Sequence, residues 1–100
     1  MPLNASHLND RLAEVRAYLD ACGERGWVAV IDQAIAESIS EASLARKVRS
    51  WNGGMGSLND VYLCPQNGHQ VSDGEVSSAN EHLGQLATAL FEAADEALRD

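Results

Sequence analysis

Basic residues are scarce in this sequence. Seven lysines and arginines stand against fifteen aspartates and glutamates, a net charge of −8. Binding to nucleic acid, or to an anionic membrane surface, needs clustered cations, so the charge balance argues against both partner classes. The same excess of acid suits a soluble protein and a basic partner. Aromatic residues number only five in a 100-residue chain, so the core must be built from Leu, Ile, Val and Ala. No apolar run approaches the ~18 residues of a membrane span. The start, MPLNASHLNDRL, has no basic segment followed by an apolar one, which predicts no signal peptide. The two cysteines, Cys22 and Cys64, are then expected as free thiols in the reducing cytoplasm. There is no internal repeat and no low-complexity tract, and the length allows one domain over residues 1–100.

The apolar residues that are present recur at helical spacing. Leu8, Leu12, Val15, Leu19 and Cys22 make one face of a helix from about Ser6 to Cys22, with Gly23 available to end it in the left-handed conformation. WVAVIDQAIAE has strand propensity in its first five residues, but Trp27, Ile31, Ala34 and Ile35 form a helical stripe, which predicts a second helix. Ser40 is a good N-cap for a third helix, with Ile39 placed to pack on Leu44 as a hydrophobic staple. Leu44, Val48 and Trp51 then face inward, and Arg46, Lys47 and Arg49 sit at the end where positive charge suits the helix dipole. A stripe of Val76, Ala79, Leu83, Leu86, Ala87, Leu90, Phe91, Ala94 and Leu98 predicts a last helix over about residues 73–98. Between helices 3 and 4, LNDVYLC reads as a short strand, PQNGH as a turn and HQV as a returning strand. The expected fold is mainly α, a four-helix domain with a short two-stranded β-hairpin between helices 3 and 4.

The glycine-rich stretch WNGGMGSLND, residues 51–60, is the main candidate for function. Gly53, Gly54 and Gly56 permit positive φ and converging amides, and the upstream cations invite a phosphate reading. However, there is no GxxxxGK[ST] and no GxGxxG opening a helix. The expectation is a helix stop and a shaped loop, anchored by Trp51 and seated in a notch formed by Asn80 and Gly84 on the last helix. A mid-helix glycine costs about 1 kcal/mol, which suggests close approach by another backbone. Cys64, His69 and His82 match no zinc spacing, and no metal or cofactor is expected. GMGSL places its serine out of register for a nucleophile elbow. An enzyme using His69 with a nearby carboxylate ranks behind a binding protein.

The run Gly53 to Asp60, preceded by Trp51 and followed by Val61-Tyr62-Leu63, resembles the hallmark of a family of small uncharacterised bacterial proteins. In that family, helices lead into a Gly-Gly-Met-Gly-Ser-Leu-Asn-Asp core and then a short hydrophobic strand. The resemblance covers the middle third of the chain and supplies no activity. The small, acidic character is similar to that of immunity proteins that neutralise bacterial toxins. On that analogy the chain is expected to be a cytoplasmic binding protein that occludes the active site of a basic toxin, with no enzymatic activity of its own. The partner-binding residues would be Met55, Ser57, Asn59, Asp60, Tyr62, His69, Asp73 and Glu75; a homo-oligomer is also compatible. The alternative is a phosphate, nucleotide or other small-ligand site using the glycine loop.

Overall fold

The computed structural model describes residues 3–52 and 57–99, with side chains from residue 7 onward. Four α-helices carry the domain: α1 (Leu3–Ala21), α2 (Arg25–Glu37), α3 (Glu41–Arg49) and α4 (Val76–Leu98). Three single 3-10 turns lie between α3 and α4, at Leu58–Asp60, Pro65–Asn67 and Asp73–Glu75. At 23 residues, α4 is about 34 Å long. It is the spine on which α1 and α3 pack, and α2 packs mainly on α1.

The helical stripes go mostly where their spacing points, the exception being Ile35 of α2, which is 47% exposed because it lies at the edge of the face that α2 turns to α1. Leu8, Leu12, Val15 and Leu19 of α1 are buried together with Ile31 and Ala34 of α2, Leu44, Ala45 and Val48 of α3, and Ala79, Leu83, Ala87, Leu90 and Ala94 of α4. The segment with strand propensity, WVAVI, is helical because it continues a capped helix. The Glu24 side chain accepts a hydrogen bond from the Trp27 N–H at 3.0 Å, which satisfies one of the orphan donors of the first turn. Gly23 ends α1 with φ +79°, as the left-handed cap requires. Arg16 of α1 grips Asp32 of α2 with two bonds of 2.6 and 2.9 Å. The hydrogen bond from Arg16, and then its charge, hold the Asp32 carboxyl below its ordinary value.

Three expectations are corrected. The first helix begins at Leu3, and the last opens with a 3-10 turn before Val76. Ser40 does cap α3, but its reciprocal partner is Ser43, at 3.1 and 3.2 Å. Ile39 makes no staple: the chain leaves α2 through an extended Ser38, and Ile39 is 93% exposed. The β-hairpin is replaced by side-chain pairing, and no strand occurs among the described residues. Residues 61–64 are extended, yet the Leu63 N–H donates to Asn80 Oδ1 at 2.8 Å and Leu63 O accepts from Asn80 Nδ2 at 2.9 Å. One amide on α4 therefore does what a partner strand would do for a fully buried residue. The returning strand is also pre-empted. Pro65–Asn67 closes a 3-10 turn on Gly68, at φ +85°, and the Gln70 N–H turns to Cys22 O at 2.8 Å.

The expected seat of the glycine-rich loop against Asn80 and Gly84 falls partly outside the described residues, since Gly53, Gly54, Met55 and Gly56 are not among them; among the described residues a Cβ built at Gly84 meets nothing within 4 Å. The notch exists at Asn80, and Leu63 occupies it. Next to it Leu58, Asn59, Val61 and Tyr62 face Asn80, Leu83, Gly84, Ala87 and Thr88 across a space of about 390 Å³.

Candidate functional site

One backbone connection closes the loop after α3 on itself and a second holds the chain against the α1–α2 turn. The first closes the glycine-rich stretch at its two ends. The Leu58 N–H donates to Trp51 O at 3.0 Å, and Asn59 Nδ2 donates to Asn52 Oδ1 at 2.6 Å. Trp51 is buried and meets Trp27 edge to face, with ring centroids 5.4 Å apart, a geometry that aromatic quadrupoles favour. The second connection is the Gln70–Cys22 bond, beside which a Cβ added at Gly23 would lie in van der Waals contact, 3.4 Å from Gln70 Cγ. Gly53, Gly54, Met55 and Gly56 lie outside the described residues.

Glu24 and His69 lock this junction. His69 Nδ1 accepts the Cys64 N–H at 3.1 Å, so its proton sits on Nε2, which donates to Glu24 Oε1 at 2.8 Å. The backbone donor thus fixes the tautomer. Burial pushes the Glu24 carboxyl up, but the hydrogen bonds from His69 and from the Trp27 N–H outweigh it and leave Glu24 below its ordinary value. The His69 side chain is only 6% exposed and both ring nitrogens are engaged. This geometry leaves neither nitrogen to take up a proton from a substrate, which a general base must do.

Beside the lock lies a cavity of about 290 Å³ lined by Glu24, Trp27, Ser57, Asp60, Val61, Tyr62, Asn67 and His69. It combines two carboxylates and two aromatic rings, with no Lys or Arg in its lining. Asn67 Nδ2 donates to Tyr62 O at 3.0 Å and steadies the rim. Ser57 is 7% exposed, and its hydroxyl has no hydrogen-bond partner among the described residues. A buried polar atom without a partner costs about 1–3 kcal/mol and calls for an explanation.

Four of the residues expected to face a partner, Ser57, Asp60, Tyr62 and His69, converge on this cavity. Asn59 lines the neighbouring space against α4. Asp73 and Glu75 lie apart from it: Glu75 caps the Asp73–Glu75 turn through the Ser72 N–H and lines a cavity of about 540 Å³ between Tyr18, Val71 and His82. Glu24 was not among the sequence candidates. Its signal was positional, the residue directly after a helix-ending glycine and three before Trp27, the place of an N-cap. The cations invoked for phosphate are partly committed, since Arg49 Nε pairs with Asp95 Oδ1 at 3.0 Å. Among the described residues no group of three or more His, Cys, Asp and Glu is placed to hold a metal, and no helix is long and apolar enough to cross a membrane. Cys22 and Cys64 are both buried and unpaired with each other.

Fold and cavity together define a mainly helical domain in which a stapled loop and a helix start enclose an acidic, aromatic-walled recess. Residues 20–72, just over half of the chain, match the family model described as "Domain of unknown function (DUF6966)", and the chain belongs to that family. Comparison with curated proteins and with solved structures gives no match. All eight residues that line the recess lie within the matched segment, whereas the two other cavities described above each draw on α4 beyond it.

Proposed function

We propose that this chain is a binding protein that neutralises a cationic protein partner, in the manner of a bacterial immunity protein that seats on a toxin and occludes its active site in the cytoplasm. The observation that carries the reading is the acidic recess itself, formed where two distant parts of the chain are stapled together and rimmed by Tyr62, which is 56% exposed. Large amphipathic rings that combine an apolar face with a polar tip are the composition of interface hot spots. The surface charge supports it. Three arginines, Arg11, Arg16 and Arg49, are paired with carboxylates of this chain, which leaves twelve of the fifteen acids against four of the seven bases, the same excess of −8. Such a surface speeds encounter with a basic partner and rejects acidic ones. The engagement of both His69 nitrogens favours binding over acid–base catalysis as the use of this site.

The test is co-expression with the product of the gene beside this one. Restored growth of cells poisoned by that product, together with a 1:1 complex whose association rate falls steeply with added salt, is the expected result. A neighbouring product that is not toxic and forms no complex would overturn the proposal.

A further inference from the structure

We infer that the recess between Ser57, Trp27 and Tyr62 is a receptor for one arginine side chain of the partner. The inference rests on the partner-binding reading and names the chemical group that the site takes. Three independent features of the recess point to a guanidinium.

The first is the Ser57 hydroxyl, more than nine-tenths buried and without a partner among the described residues. Ser57 lines the recess, but its hydroxyl oxygen is itself closed off from solvent, so an entering group satisfies it only with a small shift of the Ser57 side chain. The second is charge. Glu24 and Asp60 contribute carboxylates and no basic side chain lines the space, so an incoming cation is favoured and an anion is not. Glu24 already accepts from the Trp27 N–H on Oε2 and from His69 on Oε1, but each carboxylate oxygen has a further lone pair. The third is shape. Trp27 and Tyr62 put two flat rings on the same recess. A guanidinium is planar, weakly hydrated and able to stack on such rings while its five N–H donors reach several acceptors at once; an ammonium is compact and strongly hydrated. A phosphate or carboxylate could accept from the Ser57 hydroxyl, but the two carboxylates oppose its charge and it gains nothing from the rings.

The experiment is a titration of the isotope-labelled protein, followed by NMR, with N-acetyl-arginine amide, N-acetyl-lysine amide and the neutral isostere N-acetyl-citrulline amide. The indole N–H of Trp27, distinguished from that of Trp51 with the Trp27→Phe variant, is the reporter. A saturable shift with the arginine probe is expected, with lysine weaker by about fivefold or more and citrulline not saturating, since the discrimination comes from stacking and charge together. Ser57→Ala and Tyr62→Ala, each checked for an unchanged fold by its backbone spectrum, should weaken the arginine probe by about three- to tenfold, the loss of one hydrogen bond or one stacking face. No saturable shift, or citrulline bound as well as arginine, would overturn the receptor. Complex formation with the toxic partner is scored separately. A partner bound equally by the parent protein and by Ser57→Ala and Tyr62→Ala would overturn the arginine receptor and leave the inhibitory function standing. A recess that takes the arginine probe while no toxic partner is found would support the receptor and count against that function.

Discussion

Replacing Asn80 with aspartate changes one amide nitrogen into an oxygen and leaves the shape almost untouched. Asn80 Nδ2 now donates both to Leu63 O at 2.9 Å and to Val76 O at 2.8 Å, while Oδ1 accepts the Leu63 N–H at 2.8 Å. In Asn80→Asp the two donated bonds are lost and a carboxylate oxygen faces the Leu63 carbonyl. Each lost bond is worth about 1 kcal/mol net, and leaving the carbonyl of a fully buried residue unpaired adds about 1 kcal/mol or more. The expected destabilisation is therefore about 3 kcal/mol, a large part of the ~5–15 kcal/mol available to a domain of this size. Asn80→Ala removes the acceptor as well, but it regains about 0.5 kcal/mol of helix propensity and lets water reach Leu63 from the adjoining space, so about 2–3 kcal/mol is expected. Either loss lowers the melting temperature by about 10–20 °C. Urea melts followed by circular dichroism measure both changes, provided the slope m is the same as in the parent protein. If Asn80→Asp lost less than about 0.5 kcal/mol, the Leu63 backbone would not depend on this amide and the account of the missing hairpin would fail.

Glu24→Gln supplies one oxygen where Glu24 uses two, and turns an amide donor toward His69 Nε2–H or the Trp27 N–H; about 1–2 kcal/mol of stability should be lost by thermal melting. Because the Glu24 carboxyl is held below its ordinary 4.5, its contribution is complete above that value and disappears as pH falls through the lowered one, so the gap between Glu24→Gln and the parent should close on acidification; a gap that widened toward pH ~3 would refute the assignment. Gly84→Ala should stabilise the protein by about 1 kcal/mol, since α4 gains propensity and the added methyl meets nothing within 4 Å among the described residues; a lower melting temperature would show that something does sit against that face. Gly68→Val should cost about 1–2 kcal/mol although there is open space around it, because a β-branched residue is strained at φ +85°; melting like that of the parent protein would refute the claim.

The helices were legible because their stripes are complete within the chain segments that form them. Leu8, Leu12, Val15 and Leu19 have one face in common whatever they pack against, and all are buried. The segment from Leu58 to Val71 was not legible in the same way. Its residues have strand propensity and a turn-forming Asn-Gly, and both are used, but the partner of Leu63 is a side chain on a helix seventeen residues away. An asparagine near the edge of an apolar stripe announces that it needs partners, without saying which backbone will supply them.

The candidate site divides along the same line. Ser57, Asp60, Tyr62 and His69 drew attention as polar or aromatic residues in and after a glycine-rich loop. Glu24 and Trp27 did not, because one is a single acid among fifteen and the other completes a helical stripe. Sequence by itself determined four amphipathic helices, an acidic surface and a loop closed by turn-forming residues, since each of these follows from local spacing or from a sum over the chain. Only the tertiary structure decided that Glu24 meets His69 across 45 residues and that an acidic recess opens beside them, because hydrogen-bond geometry between distant segments is fixed by how the helices pack.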